Sequence, residues 1–176
     1  MKILIYTSHR TGSTALANFL MIEYNCDYYR RFHYNTNDEF DKIVNSKSDG
    51  IYKVCPEEDS YKRIKSMFDK RIVLIRENTK EQAESRLYSE IEEKKFSAYS
   101  ISNDFLNSNK QEIKEMENKI ISENAEFKKL IECLHLTYEE LFYSKEGLKK
   151  IENYLEFESK FEIGSKRYRN MKKQLI

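Results

Sequence analysis

The stretch ILIYTSHRTGSTALANFL, residues 3–20, passes from an apolar run through a polar turn into a helical pattern. It predicts a buried strand over Ile3 to Thr7 and a helix over Thr14 to Tyr24. The N–H groups of the turn and the positive end of the helix dipole then point at one place, which favours an anion. Gly12 allows a ligand to approach the backbone closely. The stretch therefore predicts an anion-binding loop, with an ordinary strand-to-helix turn capped by Ser or Thr as the alternative.

The side chains of this loop suit phosphate or sulfate. Arg10 supplies a fixed charge on a planar set of donors, and Ser13 and Thr14 add hydroxyl groups. The loop has one glycine and no lysine before its hydroxyl residues, so it does not match the GxxxxGK[ST] pattern of ATP and GTP hydrolases. It also lacks the three glycines of a dinucleotide-binding loop. An ordinary ATP or GTP hydrolase is therefore disfavoured.

Strand and helix patterns alternate along the rest of the chain. Further strands are predicted over Tyr28 to His33, Gly50 to Cys55, Ile72 to Arg76 and Cys133 to Leu136, and further helices over Asn37 to Asn45, Ser60 to Phe68, Lys80 to Lys95 and Ser108 to Glu132. Two stretches, Thr79 to Gln82 and Thr137 to Glu140, have the spacing of a capping box at a helix start. The alternation predicts an α/β fold with parallel strands. Since no flexible linker interrupts it, we expect one domain over residues 1–176.

Composition and charge narrow the classes of partner. The chain has 31 Lys and Arg against 30 Asp and Glu, a net charge of +1, so it has no overall basic field for nucleic acid or an anionic membrane. No run approaches the roughly 20 apolar residues that a membrane helix needs. The three cysteines are odd in number and widely spaced, which favours reduced thiols. We therefore expect a cytoplasmic protein without a membrane span, in which any anion site is local.

Three stretches of the chain together resemble the sulfotransferases that use 3′-phosphoadenosine 5′-phosphosulfate (PAPS). The first, Arg10-Thr11-Gly12-Ser13-Thr14 after a short strand, is similar to the family's 5′-phosphosulfate loop. The second, Ile72 to Arg76 followed by Ser85, is similar to the strand-Arg and helix-Ser pair that binds the 3′-phosphate, with one extra residue between the two. The third, Leu136 to Leu141, resembles the segment whose tyrosine, here Tyr138, lies against the adenine.

The resemblance implies a fold, a donor and a set of contacts. The fold is a three-layer, P-loop-NTPase-like sulfotransferase fold with a central, mainly parallel sheet of about four to five strands. The implied contacts are Arg10, Thr11, Gly12, Ser13 and Thr14 on the 5′-phosphosulfate, Arg76 and Ser85 on the 3′-phosphate, and Tyr138 near the adenine. The implied reaction transfers the sulfuryl group of PAPS to a hydroxyl or amine, releases 3′-phosphoadenosine 5′-phosphate (PAP) and needs no metal. The acceptor is expected to be a small molecule, a saccharide or a peptide.

The resemblance also implies catalytic residues and shows a departure from the family. Arg10 would stabilise charge on the leaving phosphate, and Lys53 matches a lysine of the family's third strand. Cys55 stands where many members have a histidine that acts as the base. We expect His33 to be the base here, because an imidazole titrates near neutral pH; a carboxylate of the same region, such as Glu39, is the alternative.

Two other functions stay open. A small nucleotide kinase would bind ATP with Mg²⁺, although the loop lacks the lysine that such a kinase uses. A non-catalytic module would keep the PAPS-binding residues and bind a protein partner, and Cys55 in place of a base favours it. The basic segment Lys166 to Lys173 is expected either to reach the 3′-phosphate or to remain a solvated terminus.

Overall fold

The computed structural model describes residues 1–30, 37–46, 49–56, 61–91, 101–144 and 146–159. Its strands are β1 (Lys2–Thr7), β2 (Tyr28–Arg30), β3 (Gly50–Val54), β4 (Lys70–Ile75) and β5 (Leu134–Thr137). Its helices are α1 (Ser13–Tyr24), α2 (Asn37–Ser46), α3 (Tyr61–Ile64), α4 (Thr79–Ile91), α5 (Asn103–Ser108), α6 (Lys110–Lys128), α7 (Tyr138–Phe142) and α8 (Glu146–Leu155), with a 3-10 turn at Lys65–Met67. No helix within these ranges is long and apolar enough to cross a membrane.

The strands form one parallel sheet in the order β2-β3-β1-β4-β5. Strand β1 lies in the middle, where Ile5 is in register with Lys53 of β3 and with Ile72 of β4. A strand that is buried on both faces is typically a continuous apolar run, and β1 is buried from Ile3 to Thr7. The predicted α/β fold with a central parallel sheet is confirmed.

Helices cover both faces of the sheet and give the predicted three layers. Ile3 and Ile5 of β1 pack on one face with α1, α7 and α8, whereas Leu4 and Tyr6 pack on the other with α2, α3 and α6. Helix α4 packs on α6. Helix α1 leads from β1 toward β2, and the later connections cross the sheet in the opposite direction. Right-handed crossovers of opposite direction lie on opposite faces, which accounts for the separation of α1 from α2, α3 and α6.

The strand order creates a crevice at the carboxyl end of β1. The chain leaves β1 toward one side of the sheet, and β4 lies on the other side of β1. In open parallel sheets, ligands bind where the strand order reverses in this way, beyond the carboxyl ends of the strands. The loop after β1 and the loop after β4 meet at this position.

The helix predicted over roughly Ser108 to Glu132 is confirmed as α6, which begins two residues later and ends four residues earlier than predicted. The short helix α5, which Asn109 separates from α6, was not predicted. The Asn109 side chain donates from Nδ2 to the Phe105 carbonyl at 2.8 Å, and its backbone N–H donates to the same carbonyl. A side chain that bonds to the backbone in this way competes with the helix and favours a break.

One predicted capping box is confirmed and the other is wrong. Thr137 Oγ1 accepts from the Glu140 backbone, and a Glu140 carboxylate oxygen accepts from the Thr137 backbone, so α7 begins with a full capping box. At α4, Asn78 Oδ1 accepts from the Glu81 N–H at 3.1 Å, one residue before the predicted cap. Asparagine is a better cap than threonine, so Asn78 takes the position predicted for Thr79.

Three predictions fall on residues that the structure does not describe. His33, the expected base, lies in the range 31–36. The last residues of the helix predicted to Lys95 lie in 92–100, and the basic segment Lys166 to Lys173 lies beyond residue 159.

Candidate functional site

The loop between β1 and α1 has a backbone that only a few residue types adopt without strain. Arg10 has φ 65° and Gly12 has φ 76°, both in the left-handed region. A Cβ atom on Gly12 would lie 2.5 Å from Phe142 Cε2 and 2.9 Å from Tyr138 Cδ2, so the position also needs glycine for space. Gly12 is the N-cap residue of α1, and none of the described side chains caps this helix end. The loop is therefore not the Ser- or Thr-capped turn that the sequence left open.

Threonine side chains hold the loop onto the sheet. Thr7 Oγ1 donates to the Leu74 carbonyl of β4 at 2.8 Å and lies 2.5 Å from Thr11 Oγ1. Thr11 also contacts the Ser8 carbonyl at 3.2 Å, and the side chains of Thr7, Ser8 and Thr11 are fully buried. The Thr11 hydroxyl thus stabilises the loop internally. What Thr11 offers a bound anion is its backbone N–H.

Gln82 of α4 fixes the other side of the loop. Its Nε2 donates to Ser8 Oγ at 2.8 Å and to the His9 carbonyl at 2.7 Å, and the whole side chain is buried. Sequence reasoning placed Gln82 in a capping box and missed this role. The contact joins residues 74 positions apart, and no local pattern in the sequence signals it.

Arg10 and Ser85, which were predicted for different phosphate groups, contact each other. Arg10 Nε donates to Ser85 Oγ at 3.0 Å. Burial lowers the pKa of the Arg10 guanidinium, and the positive charge of the nearby Arg76 lowers it further. The two guanidinium groups are therefore close enough for their charges to repel, and an anion bound near both would offset this repulsion.

Arg76 is held rigidly at the end of β4. Its side chain is 8% exposed, and its Nη2 pairs with Glu81 Oε1 at 2.6 Å. The guanidinium carbon lies 4.5 Å from the centre of the Tyr138 ring, within cation–π distance. The Arg76 carbonyl accepts from Asn124 Nδ2 at 3.1 Å. Its Nε is buried and has no hydrogen-bond partner among the described residues.

Glu139 ties α7 to the loop that follows Arg76. One carboxylate oxygen accepts from the Glu77 N–H at 3.0 Å, and the other accepts from the Asn78 N–H at 3.2 Å. Since Tyr138 is the preceding residue, this link also fixes the ring that packs against Arg76. Sequence reasoning took Glu139 only as part of the motif and assigned it no contact.

Tyr138 lies in an aromatic cluster beside Gly12. Its ring centre is 4.6 Å from that of Phe142 and 5.6 Å from that of Tyr143. Burial raises the pKa of the Tyr138 phenol, and a hydrogen bond with Tyr143 raises it further. Tyr143 is 71% exposed. The cluster forms an aromatic wall next to the anion loop, half-buried at Tyr138 and open to solvent at Tyr143.

Lys53 approaches the loop from β3. Its Nζ donates to Thr14 Oγ1 at 3.3 Å, so a third cation reaches the first turn of α1. Ser13, beside Thr14, is buried. Cys55, two residues after Lys53, is also buried. Arg10 in the loop, Lys53 beside the first turn of α1 and Arg76 after β4 thus bring three cations to this end of the sheet, and this concentration of positive charge suits a ligand with more than one anionic group.

The chain was compared with protein-family models and with curated protein sequences, and neither comparison finds a match.

Proposed function

We propose that this chain is a PAPS-dependent sulfotransferase with a P-loop-like sulfotransferase fold. The observation that carries the proposal is the approach of residues from three separate stretches to one crevice. Arg10 of the first stretch lies 3.0 Å from Ser85 of the second, and Arg76 of the second packs 4.5 Å from the Tyr138 ring of the third. The three stretches are far apart in the sequence, and the fold brings their side chains to one place. This supports a ligand that all three contact.

Under this proposal, the pair of arginines binds the 3′-phosphate. Arg76 and Ser85 contact the phosphate oxygens. Arg10, which the resemblance assigned to the 5′-phosphosulfate, is proposed to add a second positive charge here because it contacts Ser85. A 3′-phosphate is a dianion, so it offsets the repulsion between Arg76 and Arg10. Adenosine nucleotides without a 3′-phosphate lack this contribution to the binding affinity and should bind less tightly.

The 5′-phosphosulfate is assigned to the loop around Gly12 and to the first turn of α1. Backbone N–H groups at a helix N-terminus, the hydroxyls of Ser13 and Thr14, and the Lys53 ammonium are the donors available there. The acceptor oxygen or nitrogen attacks the sulfur, and the bond between sulfur and the phosphate oxygen breaks. Lys53 and the loop N–H groups stabilise the charge that develops on the phosphate of the departing PAP.

The base that takes the acceptor's proton is assigned to His33. Cys55 is buried after β3, and a cysteine acts as a base only as a thiolate, which a buried thiol forms only with the help of a nearby cation or metal. An imidazole accepts a proton near neutral pH without such help. His33 therefore stays the proposed base.

The adenine is assigned to the aromatic wall of Tyr138 and Tyr143. Because the Arg76 guanidinium packs over the Tyr138 ring, the open part of the wall is at Tyr143. Tyr138 then serves the site in two ways, by orienting Arg76 and by bordering the adenine.

The cellular location is also a proposal. None of the cysteines Cys26, Cys55 and Cys133, all of which the structure describes, forms a disulfide. This supports a reducing compartment, and we propose the cytoplasm.

Nucleotide selectivity separates the three candidate functions. PAP, 5′-AMP and ATP are each titrated into the protein by calorimetry, with and without Mg²⁺. A sulfotransferase binds PAP best and without Mg²⁺, whereas a kinase binds ATP best and needs Mg²⁺. A non-catalytic module shows the sulfotransferase selectivity but releases no PAP from PAPS with any of a panel of phenols, alcohols, amines, saccharides and tyrosine peptides. Equal binding of PAP and AMP would overturn the proposal.

A further inference from the structure

We propose that Glu81 is a competing ligand that occupies Arg76 in the free protein and is displaced by the 3′-phosphate. The inference rests on the proposed function, because it concerns the same phosphate position. Glu81 Oε1 lies 2.6 Å from Arg76 Nη2. A carboxylate oxygen at that distance takes the place that a phosphate oxygen would take on a guanidinium.

The geometry of α4 places Glu81 where it competes for this position. Glu81 and Ser85 are four residues apart, so they lie on the same face of the helix in successive turns. A phosphate that contacts both Ser85 and Arg76 therefore arrives beside the Glu81 carboxylate. At that separation the two anions repel each other, and one of them leaves.

Glu81 is the partner that is free to move. Its side chain is 54% exposed, whereas that of Arg76 is 8% exposed. Arg76 is fixed by the Tyr138 ring and by Asn124 at its carbonyl. The Glu81 carboxylate can turn out to solvent, and the phosphate takes its place at Arg76, so the buried guanidinium is not left without an anionic partner.

The contact between Glu81 and Arg76 leaves part of the guanidinium unused. Glu81 reaches Nη2 with one oxygen while Asn78 Nδ2 donates to its other oxygen at 3.0 Å. The buried Nε of Arg76 has no hydrogen-bond partner in the described part of the chain. A phosphate that engages Nε and Nη2 side by side makes two charge-assisted hydrogen bonds where Glu81 makes one. Glu81 thus competes with the phosphate for Arg76 and is displaced by it.

The test measures how Glu81→Gln changes the ratio of PAP affinity to 5′-AMP affinity, by calorimetry without Mg²⁺. The expected result is PAP binding that is roughly three to ten times tighter, with AMP binding unchanged because AMP has no 3′-phosphate. Glu90→Gln is the matched control. Glu90 is 52% exposed on the same helix and pairs with the buried Arg86 at 3.1 Å, but it lies about 13 Å further along the helix axis. The ratio should not change in this variant, although the net charge changes equally.

The outcomes distinguish this inference from the proposed function. If wild-type protein does not prefer PAP over AMP, the proposed function fails and the inference fails with it. If the wild type prefers PAP but Glu81→Gln leaves the ratio unchanged, the inference alone is overturned. Weaker PAP binding in Glu81→Gln would mean that Glu81 positions Arg76 and does not compete for it. Thermal unfolding of each variant confirms that it is folded, and Glu81→Ala, which removes the carboxylate altogether, must give the same direction of change.

Discussion

Replacing Gly12 with alanine should destabilise the protein, because both the backbone and the surroundings of Gly12 exclude a Cβ atom. Gly12 has φ 76°, and an L-residue with a side chain in this region is strained by about 1 kcal/mol. The added Cβ would lie 2.5 Å from Phe142 Cε2 and 2.9 Å from Tyr138 Cδ2. Displacing packed aromatic rings adds about 1 to 3 kcal/mol. The expected loss in the free energy of unfolding is therefore about 2 to 4 kcal/mol.

Urea unfolding at neutral pH measures this loss for Gly12→Ala. Phe142→Ala and the double variant complete a mutant cycle that separates the two contributions. Without the Phe142 ring, the Gly12→Ala change should cost less, because only the roughly 1 kcal/mol of backbone strain and the contact with Tyr138 Cδ2 remain. A Gly12→Ala protein within about 0.5 kcal/mol of the wild type would refute the close approach between the loop and α7.

Two further predictions concern the groups that hold the site. Gln82→Ala removes the buried donor to Ser8 and His9. Urea unfolding should therefore show a loss of about 1 to 3 kcal/mol in the free energy of unfolding, and calorimetry should show weaker PAP binding. Unchanged values for both would contradict the role of Gln82. Burial alone would raise the pKa of Glu140, but hydrogen bonds from Lys150 and the Thr137 backbone outweigh it and hold the pKa below its ordinary value of 4.5. The ionised Glu140 therefore stabilises the fold above this value, and the contribution is lost as the pH falls through the lowered pKa. Glu140→Gln, which keeps a cap acceptor, should be roughly 0.5 kcal/mol less stable near neutral pH, and the difference should shrink as the pH falls through the lowered pKa of Glu140. A difference that does not shrink in acid would show that charge is not its cause.

Local signals in the sequence were sufficient to predict the strands and the loop. The apolar run of β1, the polar turn and the helical pattern of α1 are contiguous, so each residue's environment follows from its neighbours in the chain. The alternation of strands and helices then predicts parallel pairing. The order of the strands does not follow from the sequence, because it depends on which strand pairs best with β1 on each side.

Contacts between distant residues account for what sequence reasoning missed. Gln82 bonds to the loop after β1 across 74 positions, and Glu81 reaches Arg76 only because α4 turns back over the end of β4. The short helix α5 was not predicted, and Asn109, which separates it from α6, is compatible with a helix until its side chain finds a backbone carbonyl. Asn78 was overlooked as a cap because Thr79, one residue later, also fits the pattern.

The most direct test of the central claim is the affinity of Arg76→Met for PAP and for 5′-AMP, measured by calorimetry without Mg²⁺ beside the wild type. Methionine keeps much of the apolar packing against Tyr138 and removes the charge. We predict that the wild type binds PAP at least about tenfold more tightly than AMP, a difference of about 1.4 kcal/mol, and that Arg76→Met binds the two nucleotides alike. A wild type with no preference, or a preference that survives in Arg76→Met, would contradict the assignment of the 3′-phosphate to this crevice.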